Sequence, residues 1–197
     1  MSIIVEHEKR RREILERALD VFMDEGFEDA TFQKIAGRCG ITRTTLYIYF
    51  KNKKEIFNYS IKQLLFTVET RIQQIVKDAA LGIGDKISAV LLDIIGQLEQ
   101  NRRLLLVILD YLLLLSKNGY DPETRIRRRV LKLRRILASL VITGIRAGEL
   151  IPVNVKTADD LLYGLIETAI FRLVVLKRET AGDLKQAVVL TVKGLVR

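Results

Sequence analysis

The sequence predicts an all-α protein, and three observations carry that class. Apolar residues recur at the three-and-four spacing of a helix along the whole 197-residue chain. No stretch sustains the apolar–polar alternation of a half-buried strand. Only two prolines, Pro122 and Pro152, interrupt the pattern.

Nine helices follow from periodicity and capping. The first runs from about Glu6 to Asp24, with Ile14, Ala18, Val21 and Phe22 on one face and Gly26 placed to end it. Thr31 to Lys53 then reads as two short helices joined by a tight turn. Ala36, Gly40 and Leu46 have the spacing of a helix-turn-helix: a small residue where the second helix crosses, then a glycine where positive φ is free of strain. Ile35, Ile41, Leu46 and Phe50 supply the apolar faces. Thr31 and Thr42 each stand where a hydroxyl can accept an orphan N–H at a helix start. Left facing outward on the second helix are Arg43, Thr44, Thr45 and Tyr47, a polar end suited to base edges in a major groove.

Asn52 and Glu55 form a reciprocal cap that opens a fourth helix, running to about Ala80. Gly82-Ile83-Gly84 breaks it, and a fifth helix spans Asp85 to about Gln100. The sixth, Asn101 to about Lys117, is apolar on nearly all sides and is expected at the centre of the body. Asp121-Pro122 is a start signal for the seventh, to about Ala147. Gly148 to Val155 is a loop; Thr157 and Asp160 cap an eighth helix to about Lys177, and a ninth runs from about Gly182 to the C-terminus. The expected division is a head, residues 1–52, followed by a larger helical body, residues 53–197.

Charge is segregated rather than merely abundant. The net formal charge is +9. From Thr31 to Lys54 there are six basic residues and no acid, whereas Glu13 to Asp29 carries seven acids and Arg17 alone. A basic segment of that kind suits a row of phosphates; its plainer reading is solvated surface on a helical hairpin. Lys9 to Arg12 fit either a solvated helix start or an arm reaching DNA.

Several function classes are excluded or disfavoured. One cysteine, Cys39, allows no internal disulfide and suits a reducing cytoplasm, where it reads as a small buried hydrophobe. With one histidine, His7, and one cysteine, neither a zinc site nor a Cys/His catalytic pair can be assembled, and no glycine-rich phosphate loop is present. No cofactor, metal or catalytic residue is expected. The longest apolar run, Leu104 to Leu115, spans about 18 Å as a helix, short of the ~30 Å of a bilayer core. No membrane segment is expected.

The run Arg11 to Phe57 resembles the N-terminal domain of the TetR (tetracycline-repressor-like) transcriptional regulators. Thr44-Thr45-Leu46-Tyr47-Ile48-Tyr49-Phe50-Lys51-Asn52-Lys53 is similar to that family's most recognisable signature, as is Ile35-Ala36 followed by Gly40-Ile41. The resemblance implies a homodimer that binds a double-stranded DNA operator and a small effector in a variable C-terminal domain. It implies that Arg43, Thr44 and Thr45 approach bases, with Gln33 joining them. Thr31, Tyr47, Tyr49 and Lys53 would meet phosphates, and Thr42 belongs to the same surface. It further implies an effector pocket among helices four to seven.

Arg125 to Arg146 holds eight basic residues and no acid. Ile126, Val130, Leu133, Leu137, Leu140 and Val141 form its apolar stripe, with Arg127 and Arg134 at the border. Those two fit either snorkelling side chains or guanidinium groups reaching a cavity. Glu69, Asp110, Tyr111 and Glu167 are polar groups in core-like surroundings. Asp110 is expected to be buried and therefore paired, with an arginine or with a ligand. Glu69, Asp110, Tyr111, Arg127 and Arg134 are thus the candidate ligand contacts.

For a two-fold dimer, the eighth helix offers Leu161, Leu165, Ala169 and Leu173, and the ninth Leu184, Val188, Val192 and Leu195. The function that fits best is a ligand-responsive, dimeric repressor, released from a near-palindromic operator by a largely apolar small molecule. The alternative is a DNA-binding architectural or regulatory protein without an effector. An all-α enzyme using Asp110, Glu69 and Tyr111 is the remaining class.

Overall fold

The computed structural model describes residues 2–119 and 123–197. Among these, nine helices are present: α1 Ser2–Asp29, α2 Phe32–Cys39, α3 Arg43–Tyr49, α4 Lys53–Lys77, α5 Ile83–Gln100, α6 Arg102–Lys117, α7 Glu123–Ala147, α8 Val155–Val174 and α9 Gly182–Lys193. The expected start of the seventh helix at Asp121-Pro122 lies outside the described residues. Beyond the helices there is one isolated bridge, Leu150 to Val196. The chain forms two compact units: Met1–Thr67 with Leu106–Leu113, and Val68–Leu105 with Leu114–Arg197.

In the first unit α1 packs on α2 and α2 on α3. Ile14, Ala18, Val21 and Phe22 are buried, as the spacing on α1 requires. Gly26 (φ 80°, ψ 172°) interrupts α1, and the chain past it turns Phe27 into an aromatic cluster. Phe27 lies 5.1 Å from Phe57 and 4.4 Å from Tyr111, and Phe22 lies 4.8 Å from Phe57, ring centre to ring centre. Ser60 on α4 is buried, and its hydroxyl donates to the Leu15 carbonyl of α1 at 2.9 Å, satisfying both.

The second unit is built around α5, which packs against α7, α8 and α9. Ile87, Val90, Leu91 and Ile95 of α5 meet Leu137 and Val141 of α7, Leu162 and Ile166 of α8, and Val188 of α9 in one buried cluster. The start of α5 departs from expectation. It begins at Ile83, two residues early, because the Glu149 carboxylate accepts from the Ile83 backbone N–H at 2.6 Å. A cap delivered from 66 residues away leaves no local signature.

The central placement expected of α6 is corrected. Its buried side chains are Leu104, Val107 and Tyr111, one stripe at helical spacing, while Leu113 is 62% exposed. Asp110 lies on the exposed side rather than in the core. An all-round apolar sequence shows that a helix can be buried, not which face a neighbour will cover.

The subunit contact expected on α8 and α9 is corrected in the same way. Ala169, Leu173, Leu184, Val188, Val192 and Leu195 are buried within the chain's own core. Leu161 is exposed and Leu165 partly buried. The apolar side chains these helices and the turn after α8 leave accessible are Leu161, Phe171, Val175, Leu176, Val189 and Leu190. Both helices are apolar on two sides, and α5 takes one of them.

Candidate nucleic-acid interface

The helix-turn-helix is assembled by caps at each junction. Thr31 Oγ1 accepts from the Lys34 N–H at 3.2 Å, and Thr42 Oγ1 accepts from the Thr45 N–H at 3.0 Å. Gly40 adopts φ 67°, ψ 32°, ending α2 in the left-handed region that favours glycine. Beneath, Ile35, Ala36, Leu46 and Phe50 are fully enclosed. Leu46 on α3 is the anchor, and the opposite face of that helix is therefore turned to solvent. Asn52 Oδ1 accepts from the Glu55 N–H at 2.9 Å, while Glu55 reaches back to the Lys51 N–H at 2.6 Å, one residue before the partner a reciprocal cap would use.

Turned outward on α3 are Arg43, Thr44, Tyr47 and Ile48. Arg43 donates to the Tyr47 hydroxyl at 3.2 Å, and Tyr47 rests on the Phe32 ring at 4.6 Å. Thr45 is half-buried and shares a 2.8 Å hydroxyl hydrogen bond with Thr42. Thr31, Gln33 and Thr42 are exposed, and Tyr49 stacks on His7 at 4.5 Å. Phe32 is therefore the floor beneath Tyr47, not a side chain competing for the surface.

Lys53, the residue expected at a phosphate, lies beside the end of α1. Its ammonium donates to the carbonyls of Phe27 (2.9 Å), Glu28 (2.5 Å) and Ala30 (3.1 Å), and lies 4.9 Å from the centre of the Phe27 ring. All three protons are engaged at the end of α1, where the helix dipole favours a cation. Part of the basic segment is also neutralised internally. Lys34 pairs with Glu25 at 2.6 Å and Arg38 with Asp24 at 2.9 Å. The acidic run of α1 and the basic run of α2 are partners, so the segregation in the sequence is in part structural.

Cys39 is buried, and burial pushes its thiol above the ordinary value, the influence of Arg17 and Arg10 being smaller. That environment suits a packing residue.

The ligand candidates each have their own surroundings within their unit. Glu69 pairs with Arg129 and, at 2.5 Å, with Lys132. Burial pushes its carboxyl up, but these hydrogen bonds and charges outweigh it and hold the group below the usual carboxylate range. Arg134 donates to Asp159 at 2.7 Å and to Asp160, and faces the Tyr163 ring, tying α7 to α8. Tyr111 belongs to the aromatic cluster with Phe27 and Phe57. Asp110 and Arg127 are exposed, and so is Glu167.

The sequence profile of the tetR family of bacterial regulatory proteins matches residues 14–59, which hold the whole helix-turn-helix. Over those residues the chain is similar to the tetR family. Its helix-turn-helix is the family's DNA-binding element, and the chain is a DNA-binding transcriptional regulator. The Bacillus subtilis protein "Fatty acid metabolism regulator protein" is 24% identical over 159 residues, 80% of each chain. The regulator PksA of the same organism is 31% identical over 100 residues, 50% of this chain and 48% of that protein. The regulator's fold matches a TetR transcription regulator from Haloarcula marismortui with a TM-score of 0.80 at 19% identity, covering 96% and 100% of the two chains. It also matches FadR from Bacillus subtilis in complex with stearoyl-CoA, with a TM-score of 0.68 at 24% identity, covering 93% and 98%. Among the described residues, no helix of the regulator is long and apolar enough to cross a membrane.

Proposed function

We propose that this regulator is a homodimeric repressor that leaves a near-palindromic operator when a small, largely apolar effector binds. The carrying observation is the solvent-facing end of α3, where Arg43, Thr44 and Tyr47 project from a helix locked by Leu46 and by the Thr42 cap. Arg43 donates to a base edge, and Tyr47 and Thr31 position the head on phosphates. Two copies associate through the accessible apolar side chains of the last two helices and the turn after α8, Leu161, Phe171, Leu176 and Leu190 among them. A two-fold axis there makes each subunit present one α3 to each half-site.

A long-chain acyl thioester is the effector class best supported, because the relative matched over 80% of both chains is a fatty acid metabolism regulator and one matching structure holds stearoyl-CoA. The exposed Arg127, Arg128 and Arg135 of α7 suit its anionic head. The chain of α4 runs through both units, residues 53–67 in the first and 68–77 in the second, so a shift of α4 on binding is felt by the head. Linkage requires the effector to prefer the conformation that does not fit DNA; a 100-fold preference corresponds to about 2.7 kcal/mol of coupling.

Operator binding measured by fluorescence anisotropy, with and without stearoyl-CoA, tests this reading. Loss of operator affinity with acyl-CoA, together with a rise in melting temperature on acyl-CoA alone, supports it. Operator affinity unchanged by any acyl-CoA, in a protein that still binds DNA, favours the DNA-binding protein without an effector.

A further inference from the structure

Ile48 stands out among the α3 side chains that folding does not explain. It is 70% exposed, the most exposed large apolar residue of the helix-turn-helix, and it projects from the side of α3 opposite the buried Leu46. Thr44, four residues earlier and also exposed, lies directly beside it on the helix surface. A β-branched residue is a poor choice for an exposed helical position, where lysine, glutamine or alanine would favour the helix more and bring no apolar surface into water. A single exposed isoleucine is ordinary on a protein surface at large. Here, however, it sits among the four outward residues of a seven-residue DNA-reading helix, and the other three, Arg43, Thr44 and Tyr47, are all hydrogen-bonding.

We propose that Ile48, one turn after the exposed Thr44, reads the 5-methyl group of a thymine in each half-site and is a specificity-determining residue of this regulator. This inference rests on the DNA-reading assignment of α3. The major-groove edge of an A·T pair is distinguished from that of a G·C pair by this methyl, the one apolar feature in the groove, and an aliphatic side chain is its natural complement. Arg43 and Tyr47 then read or position through polar contacts, while Ile48 supplies the apolar part of the code. The contact excludes water from one methyl and part of the isoleucine, and the expected discrimination is about four-fold per half-site, the equivalent of one buried CH₂. Both half-sites together give about fifteen-fold.

The test uses the full chain and deoxyuridine, which keeps every hydrogen-bonding edge of thymine and lacks only the methyl. An operator is first selected from randomised duplex DNA with the unaltered protein. Each thymine of the half-site is then replaced by deoxyuridine, and affinities are compared for the unaltered protein, Ile48→Val and Ile48→Ala. The expected result is one thymine position where deoxyuridine weakens the unaltered protein about four-fold per half-site, weakens Ile48→Val less, and leaves Ile48→Ala unchanged. Deoxyuridine tolerated at every position, or an equal loss for Ile48→Ala and the unaltered protein, overturns the assignment of Ile48 while leaving DNA recognition intact. Failure to select any operator overturns both readings.

Discussion

Lys53→Met separates a structural role from a DNA contact at the residue where the two readings diverge most. The substitution keeps the aliphatic stem against Phe27 and removes the charge and the three hydrogen bonds to the Phe27, Glu28 and Ala30 carbonyls. A cation in a partly buried site at a helix C-terminus is worth up to about 2 kcal/mol, and the lost cation–π contact adds about 0.5–1 kcal/mol. The Glu28 carbonyl is at the surface and rehydrates, so the three bonds do not sum at full value. The net expected loss is about 2–3 kcal/mol. For a chain of this size that lowers the melting temperature by roughly 4–12 °C. The assay pairs thermal unfolding with operator affinity measured from low to high KCl. A direct phosphate contact predicts that the slope of log affinity against log salt falls by about one unit per half-site. The clamp on α1 predicts an unchanged slope and a destabilised head. A variant that melts with the unaltered protein but shows the reduced slope would refute the structural assignment.

The remaining predictions concern the helical body and the recognition helix. Leu190→Glu, at a residue 75% exposed, is expected to convert the proposed dimer to folded monomer in sedimentation experiments, whereas Val188→Glu, fully buried, is expected to abolish folding by placing an unpaired charge in the core. Arg134→Met is expected to destabilise the chain by about 2–3 kcal/mol because it strands the buried Asp159 carboxylate, less than the loss from a fully enclosed pair because the guanidinium is partly solvated. Unchanged urea unfolding would show that this ion pair is dispensable. Burial pushes Glu99 up, but Lys185 and the Ala181 N–H outweigh it, so its carboxyl, like that of Glu69, is held below its ordinary value. A depressed carboxyl stabilises the fold fully above its unfolded value and loses that contribution as pH falls through its folded value. Stability should therefore decline below about pH 4, and Glu99→Gln should flatten that decline in melting curves taken across that acid range. Arg43→Ala is expected to weaken operator binding by about 1–3 kcal/mol and to relax base preference at one position, read by selection from randomised DNA.

The helix-turn-helix was legible in the sequence because its determinants are local. A threonine cap, a glycine at positive φ and an apolar residue every three or four positions act within one or two turns, so Thr31, Gly40, Thr42 and Leu46 stand in the structure where their spacing puts them. Ile48 is an apolar residue among polar ones, and periodicity alone does not say whether such a residue is core or surface. What only tertiary structure decided is which partner each multivalent group takes. Lys53 suits a phosphate or the end of α1 in sequence, and the fold brings it within reach of three carbonyls there. Asp110 could have been buried, but α6 turned Leu104, Val107 and Tyr111 inward and left it at the surface. Helices α8 and α9 are apolar on two sides, and contact with α5 assigned Leu173 and Val188 to the core while leaving Phe171 and Leu190 accessible. The physical reason is common to all three. Helix formation is governed by neighbours within four residues, whereas burial and ion pairing are governed by groups brought together from tens of residues away, as Glu149 is at the start of α5.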